Sequence, residues 1–440
     1  MFCKYVEKVI SLSAEIVKLY NFMIMRTINF LSVMFTIMLV FAACSSNDNK
    51  EFNNGYDNKT ITLEAREYVL VDESNDFAFN LFREISKQGG TDKNLVISPL
   101  SITYALGMLN NGATGETQTQ INKVLGFSGQ GADGINEFCH KMIVNAPKLD
   151  SSTKVMLSNA IFLSNKYQLK DEFRNKAITY YDATLETCNF EDMQTLNTIN
   201  LWAKNHTEGL VDKVLNERDY NKEAVSYLLN ATYFKGSWAT KFDKSATREM
   251  EFQTYTEQAY PRVLMMHINS DFGYAEDNDS KVLSLPYGNG AYEMTILLPK
   301  DGKTVFDLMQ TLSTEKWKQY STTLHKNVVE VDVMLPRFEC EAKTDLEEVM
   351  SALGMPLAFA PEKAEFRNFC TGNNIFINKM SQSAKIKVDE EGTEAAAVTI
   401  VEGAATAMPQ KYVYANRPFL YIISERSTGT IFFIGKYMGS

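Results

Sequence analysis

Catalysis by side chains needs a nucleophile, a base and a group that orients them. This sequence supplies the residue types without the spacing. Its four histidines, His140, His206, His267 and His325, are scattered. The six cysteines, Cys3, Cys44, Cys139, Cys188, Cys340 and Cys370, fall at irregular intervals with no C-x-x-C pair, so neither a disulfide framework nor a zinc site is expected. There is no G-x-S-x-G elbow, no H-E-x-x-H pair and no Walker A loop, and Gly288-Asn289-Gly290 is a lone turn rather than part of a dinucleotide fingerprint. The expectation is a chain that is not an enzyme and holds no metal and no cofactor.

The informative stretch is Asp389–Gln410, DEEGTEAAAVTIVEGAATAMPQ. Written as a strand, its alternate residues face opposite sides. One face carries Thr393, Ala395, Ala397, Thr399 and Val401, a small and uncharged set suited to burial beneath a sheet. The other carries Glu394, Ala396, Val398, Ile400 and Glu402, which suits solvent. Gly392, Gly403 and the small residues Ala404–Ala407 argue instead for a mobile loop. The segment reads as a loop that can become a strand. On its own it could equally be an alanine-rich surface loop or a short helix.

The elements that must position this segment are mixed. Phe77, Leu81 and Ile85 predict an amphipathic helix over Asp76–Ile85. Ser98-Pro99 predicts a helix start, with serine as the cap and proline at the first helical position; that helix should stop near Asn111-Gly112. Strands are predicted at Val155–Leu163, Ala224–Phe234, Ala291–Leu298, Val328–Leu335 and Phe419–Ser424, with a last strand in IFFIGKY after Thr428-Gly429. Helices gather early and strands late, so the class is α+β rather than a βαβ alternation.

The first 68 residues read as an address. The apolar run FLSVMFTIMLVFAA (30–43) follows Arg26 and ends in small residues, as in a secretory signal, and is too short to span a bilayer as a mature helix. Cys44 comes directly after Phe41-Ala42-Ala43, an arrangement that resembles a bacterial lipobox with the cysteine as the lipidated residue, although Phe41 departs from the usual leucine. Residues 1–43 are therefore assigned to an upstream extension and signal peptide, with Met23 or Met25 as the expected start. Residues 44–68 form the lipid-anchored tether, polar and rich in asparagine up to residue 60, and residues 69–440 the body. With 44 basic against 54 acidic residues the chain has no electrostatic reason to seek nucleic acid, and its only membrane contact would be the lipid.

Several blocks occur in one order along the body. They are NLVISPLSITYALGMLNNGATGETQTQI (94–121), LWAKNHTEGLVDKVL (201–215), NATYFKGSWATKFD (230–243), VDVMLPRFECEAKTDLEEVMSALGM (331–355), PEKAEFRNF (361–369), DEEGTEAAAVT (389–399) and NRPFLYIISERSTGTIFFIGKYMGS (416–440). Together they resemble the serpin family over about residues 70–440. The resemblance implies three β-sheets, A, B and C, about nine helices, and an exposed reactive-centre loop at about 390–412. It implies a monomeric suicide inhibitor of serine proteases: the protease attacks the loop, forms an acyl-enzyme, and is trapped as the freed loop inserts into sheet A. Under the resemblance Glu390, Gly392, Thr393, Glu394, Ala395, Ala396 and Ala397 form the loop's hinge. Ser98, Ser101 and Asn230 match a shutter beneath the opening sheet, and Trp238 matches the breach where the loop enters. Gln382 stands where many members have a histidine, so that network is altered here. Helix capping for Ser98, core packing for Trp238 and a solvated turn for Glu390 are the plainer readings. Counting from Glu390 gives Thr406–Ala407 as the reactive bond, and counting back from Pro418 gives Ala407–Met408. Both lie among small residues, which fit elastase-like or subtilisin-like pockets. The alternative is a non-inhibitory serpin acting as a binding or structural surface lipoprotein.

Overall fold

The computed structural model describes residues 59–439 except 90–91, 128, 130, 210, 256–259, 373–374 and 394–410. Strands β1 (Leu95–Ile97), β2 (Thr153–Ser164), β3 (Thr184–Cys188), β4 (Ser226–Ser237) and β5 (Arg248–Glu251) occupy the first part of the chain. Then come β6 (Arg262–Glu276), β7 (Ser280–Tyr287), β8 (Tyr292–Pro299), β9 (Val328–Pro336) and β10 (Phe338–Asp345). The last five are β11 (Lys379–Asp389), β12 (Gly392–Thr393), β13 (Tyr412–Tyr414), β14 (Phe419–Glu425) and β15 (Ile431–Tyr437). Nine α-helices lie among the described residues, and the class is α+β as expected.

Six strands form one sheet in the order β10-β11-β12-β4-β2-β3. Nine form the other, β1-β15-β14-β8-β7-β6-β9-β13 with β5 on β6. The two smaller sheets implied by the resemblance are joined here because β6 is 15 residues long. Its start pairs with β5, Met265–Gly273 with β9, and its end with β7. The strand predictions hold to within a few residues, and IFFIGKY is β15 itself. These runs are strands because β-branched and aromatic residues pack well on a pleated surface. β7, β8, β14 and β15 are buried almost along their whole length, since the main core covers both of their faces.

The helix predicted from Asp76 begins at Ala65 and runs to Gln88. Ile61 and Leu63 before it are buried, so the last part of the stretch assigned to the tether belongs to the fold: two apolar residues beside a core are held there by burial. The helix Pro99–Asn110 starts and stops as predicted and is buried throughout. Its amphipathicity is weak because it runs through the core.

A second, smaller core lies on the opposite face of the six-stranded sheet. The helix Gln194–His206 packs there, with Ile199 and Trp202 against Phe162 of β2, while Val211, Val214 and Leu215 of the following segment cover Tyr227, Leu229 and Ala231 of β4. Trp202 meets Phe162 edge-on at 6.0 Å and donates its indole N–H to Thr184 Oγ1 at 3.1 Å. This cover has its own small cluster, so it should loosen independently of the main core. Trp202→Ala removes about 3 kcal/mol of local packing. Hydrogen exchange should then accelerate across residues 194–206 while the amides of β14 and β15 keep their protection.

Candidate functional site

The six-stranded sheet contains a seam. Along Lys379–Ala384, β11 pairs directly and in parallel with Tyr227–Thr232 of β4. Beyond that the two strands part, and β12 sits between them, antiparallel to both. Gly392 and Thr393 face Asp389 and Val388 on one side and Ser237 and Gly236 on the other. The sheet is thus closed at one end and wedged open by two residues at the other.

At the closed end a row of amide side chains crosses three strands. Asn159, Asn230 and Gln382 are register partners on β2, β4 and β11. Gln382 Nε2 donates to Asn230 Oδ1 at 2.8 Å, and Asn230 Nδ2 donates to Asn159 Oδ1 at 2.9 Å and to Ser101 Oγ. Gln382 also clasps the backbone of Ser98, accepting from its N–H and donating to its carbonyl, both at 2.9 Å. All five residues are buried. Buried polar groups are costly unless paired, so separating β4 from β11 at this level would have to break the bonds of this row, in which only the Asn159 amide nitrogen lacks a partner among the described residues. The capping expectation for Ser98 is corrected: its hydroxyl makes no capping bond and has no partner among the described residues, because its main chain is held by Gln382 instead.

At the open end the turn Glu390-Glu391 is clamped. Arg337 Nη2 meets both oxygens of Glu390 at 2.6 and 2.8 Å, and Thr247 Oγ1 donates to it at 2.6 Å. Glu391 meets Lys241 at 2.8 Å and Lys244 at 2.9 Å. The reading of Glu390 as a solvated turn charge is therefore overturned; it is 1% exposed because its charge is paired from two sides. Burial pushes its carboxyl up, but the bonds from Arg337 and Thr247 outweigh that and hold it below its ordinary value of 4.5. The main chain is held as well: Trp238 N–H donates to Glu391 O at 2.8 Å, Phe242 N–H to Glu390 O at 3.0 Å, and Trp238 Nε1 to Asp389 O at 2.8 Å. The indole stacks on Tyr287 with centroids 4.5 Å apart, and Tyr287 OH hydrogen-bonds Thr393 Oγ1 at 2.7 Å. Gly392 has φ +148°, and an added Cβ would run into the carbonyl oxygen of Gly236, so only glycine lets the chain turn in against β4.

On the far side of the undescribed stretch the chain is tied down again. β13 runs parallel to β9, and Tyr414 OH donates to Asp332 Oδ2 at 2.5 Å while His267 Nε2 meets Asp332 Oδ1 at 2.6 Å. Lys281 Nζ lies 3.3 Å above the Tyr412 ring.

Of the residues expected at the site, Ser98, Ser101 and Asn230 meet at the closed end, and Trp238, Glu390, Gly392 and Thr393 at the open end. Glu394, Ala395, Ala396, Ala397, Thr406, Ala407, Met408 and Cys44 lie outside the described residues. Sequence reading missed Asn159, Tyr287, Arg337, Lys241, Lys244 and Thr247. Asn159 carried a signal, a lone amide inside the apolar run VMLSNAIFL. Arg337 carried none, because its partner lies 53 residues away.

Asn230→Ala strands its amide neighbours in a buried row and should cost about 2–3 kcal/mol, read as a lowered urea midpoint with unchanged slope. The carboxyl of Glu390 titrates lower when folded than when unfolded. Its contribution is therefore fully present above pH 4.5 and is lost as pH falls through the folded value. The melting temperature of Glu390→Gln should accordingly lie below that of wild type at pH 7 and converge with it in acid.

A profile of the family described as Serpin (serine protease inhibitor) matches residues 72–439. Human leukocyte elastase inhibitor is 32% identical over 379 residues, covering 84% of this chain and 98% of that protein. The native structure of tengpin, a thermophilic serpin, superposes with a TM-score of 0.77 at 30% identity, covering 87% of this chain and 96% of tengpin. Human thyroxine-binding globulin, solved with its thyroxine ligand, gives 0.77 at 27% identity, covering 84% of this chain and 98% of the globulin. With its sheet, seam and motifs in that order, this chain belongs to the serpin family.

Proposed function

We propose that the chain is an inhibitory serpin that traps a serine protease as a suicide substrate. The observation that carries this is the half-open seam. Gly392 and Thr393 already lie between β11 and β4, and among the described residues it is the direct pairing of Lys379–Ala384 with Tyr227–Thr232 that closes the sheet ahead of them. Continuing the register of Thr393 places Ala395, Ala397, Thr399 and Val401 on its own face, toward the helix Pro99–Asn110. Thr399 then arrives between Asn230 and Gln382, the row that must open. The small side chains on that face suit the buried space.

The chemistry belongs to the protease. Its serine oxygen bonds to the carbonyl carbon of Thr406, the Thr406–Ala407 amide breaks, and the amine of Ala407 leaves with a proton. Ala407–Met408 is the alternative bond. Insertion adds a central strand with hydrogen bonds on both sides and carries the acyl-enzyme with it before water can cleave the ester. The shutter role assigned to Ser98, Ser101, Asn230 and Gln382, and the breach role of Trp238, follow from this movement. Alanine, threonine and methionine around the bond fit a shallow pocket, so elastase-like and subtilisin-like serine proteases are the targets. The inhibitor acts as a monomer, exported and anchored to a bacterial membrane through lipid on Cys44.

Incubation with elastase-like and subtilisin-like proteases should give an SDS-stable complex. Mass spectrometry of the released C-terminal peptide should find it starting at Ala407 or Met408, and loop cleavage should sharply raise the melting temperature. No complex with any such protease, together with an unchanged melting temperature, leaves the non-inhibitory binding role that thyroxine-binding globulin exemplifies.

A further inference from the structure

β13 is the first described strand after the stretch 394–410, and it borders an open groove of about 440 Å³. The groove is lined by Tyr412 and Tyr414 of β13, by Lys281 of β7, and by Lys300, Asp301 and Arg417 of the neighbouring turns. The two tyrosine rings stand side by side, with centroids 5.0 Å apart. Tyr412 is 48% exposed, which leaves a large aromatic face open to a partner.

The groove is rich in positive charge although the chain as a whole carries −10. Lys281, Lys300 and Arg417 line it, and Lys411 stands beside it, 5.2 Å from the centre of the Tyr274 ring. Only Glu276 and Asp301 answer these cations among the described residues. Glu276 meets Lys300 at 2.6 Å and Lys411 at 3.7 Å, and Asp301 meets Arg417 at 3.6 Å. The other carboxylates nearby are spoken for. Asp277 and Asp279, on either side of Asn278 in the lining, pair with Lys316 and Lys303, and Asp332 is held by His267 and Tyr414. Lys281 has no carboxylate partner among the described residues; its ammonium lies over the Tyr412 ring and donates to the Tyr412 carbonyl at 3.2 Å. A cation on a ring face keeps its charge and can still meet a carboxylate arriving from solvent.

The place of the groove gives this charge a use. Tyr412 follows Thr406 of the proposed reactive bond by six residues, and that length of extended chain spans at most about 20 Å. A standard protein interface covers roughly 800 Å² of each partner, a patch about 16 Å in radius. The groove therefore falls near the rim of a protease that holds the bond. Rim charges act on the rate of encounter more than on the lifetime of the complex. A negatively charged protease surface is repelled by the chain as a whole and attracted here, so the groove also orients its approach.

We propose that the groove beside β13 is a second docking site for the target protease and takes an acidic loop of it, with carboxylates meeting Lys281 and Lys411 and the loop resting on Tyr412. The proposal rests on the inhibitory reading above. It adds a charge requirement on the protease surface to the small-residue requirement at the bond.

The test uses the full chain and whichever elastase-like or subtilisin-like protease complexes the wild type fastest. The second-order rate constant for complex formation is measured at low and high salt. K281E/K411E should lower it about tenfold at low salt, the lower end of electrostatic steering. The difference should vanish in about 1 M salt, where charges are screened within roughly 3 Å. K281Q/K411Q should fall between wild type and K281E/K411E. D301K changes a side chain that lies wholly in solvent, so it should fold whatever the other variants do, and it should raise the constant about threefold. In all three variants the ratio of SDS-stable complex to cleaved inhibitor, and the gain in melting temperature on cleavage, should match the wild type. Changes in those two readouts in place of the rate constant mark a merely structural role and overturn the proposal. Rate constants that K281E/K411E and D301K leave unchanged, or move in the opposite directions, overturn it too, and in each case the inhibitory reading stands. A wild type that forms no complex with any such protease overturns both.

Discussion

Two parallel strands that pair over six residues and then diverge set the terms for everything else in this molecule. Parallel pairing of β4 and β11 leaves each strand's ladder complete only as far as Ala384 and Thr232. Above that level the sheet has two inward edges, the kind of surface that proteins normally cover or pair. The wedge of β12 satisfies only the top of that gap. The closed part is secured by side chains as much as by the ladder, through the Gln382 amide lying between Ser98 and Asn230. Among the described residues, β4 and β11 are thus joined directly at one end of the sheet and through β12 at the other.

The electrostatics divide along the same line. The turn Glu390-Glu391 is anchored by three cations from two separate segments, Lys241 and Lys244 just after β4 and Arg337 between β9 and β10. Arg337 reaches both oxygens of the buried Glu390 carboxylate through its single Nη2, a charge-assisted contact that holds the turn in place. The strand that starts at Gly392 therefore has a fixed origin and a fixed register.

Much of this was legible in the sequence, and the reason is periodicity. The alternation in Thr393–Val401, the Ser98-Pro99 helix start and the apolar runs of the strands are local signals, and the structure bears out the strands and the helix. What was not legible is what depends on distant partners. Glu390 looks like a solvated charge until Arg337 is placed beside it, and Ser98 looks like a cap until Gln382 occupies its main chain. The join between the smaller sheets was hidden for a similar reason: nothing in the pattern of β6 marks where one partner strand ends and the next begins.

The anchoring of β13 has a consequence for reversibility. Tyr412–Tyr414 pair with β9, and Tyr414 and His267 both hold Asp332. In the proposed inhibitory mechanism, the amine would remain at this pole after the cut while the ester is drawn along the sheet. Re-forming the peptide bond needs the two ends in contact, and their effective molarity, very large at the moment of cleavage, collapses once they part. In that mechanism the short strand β13 would act as the mooring that makes the reaction run one way.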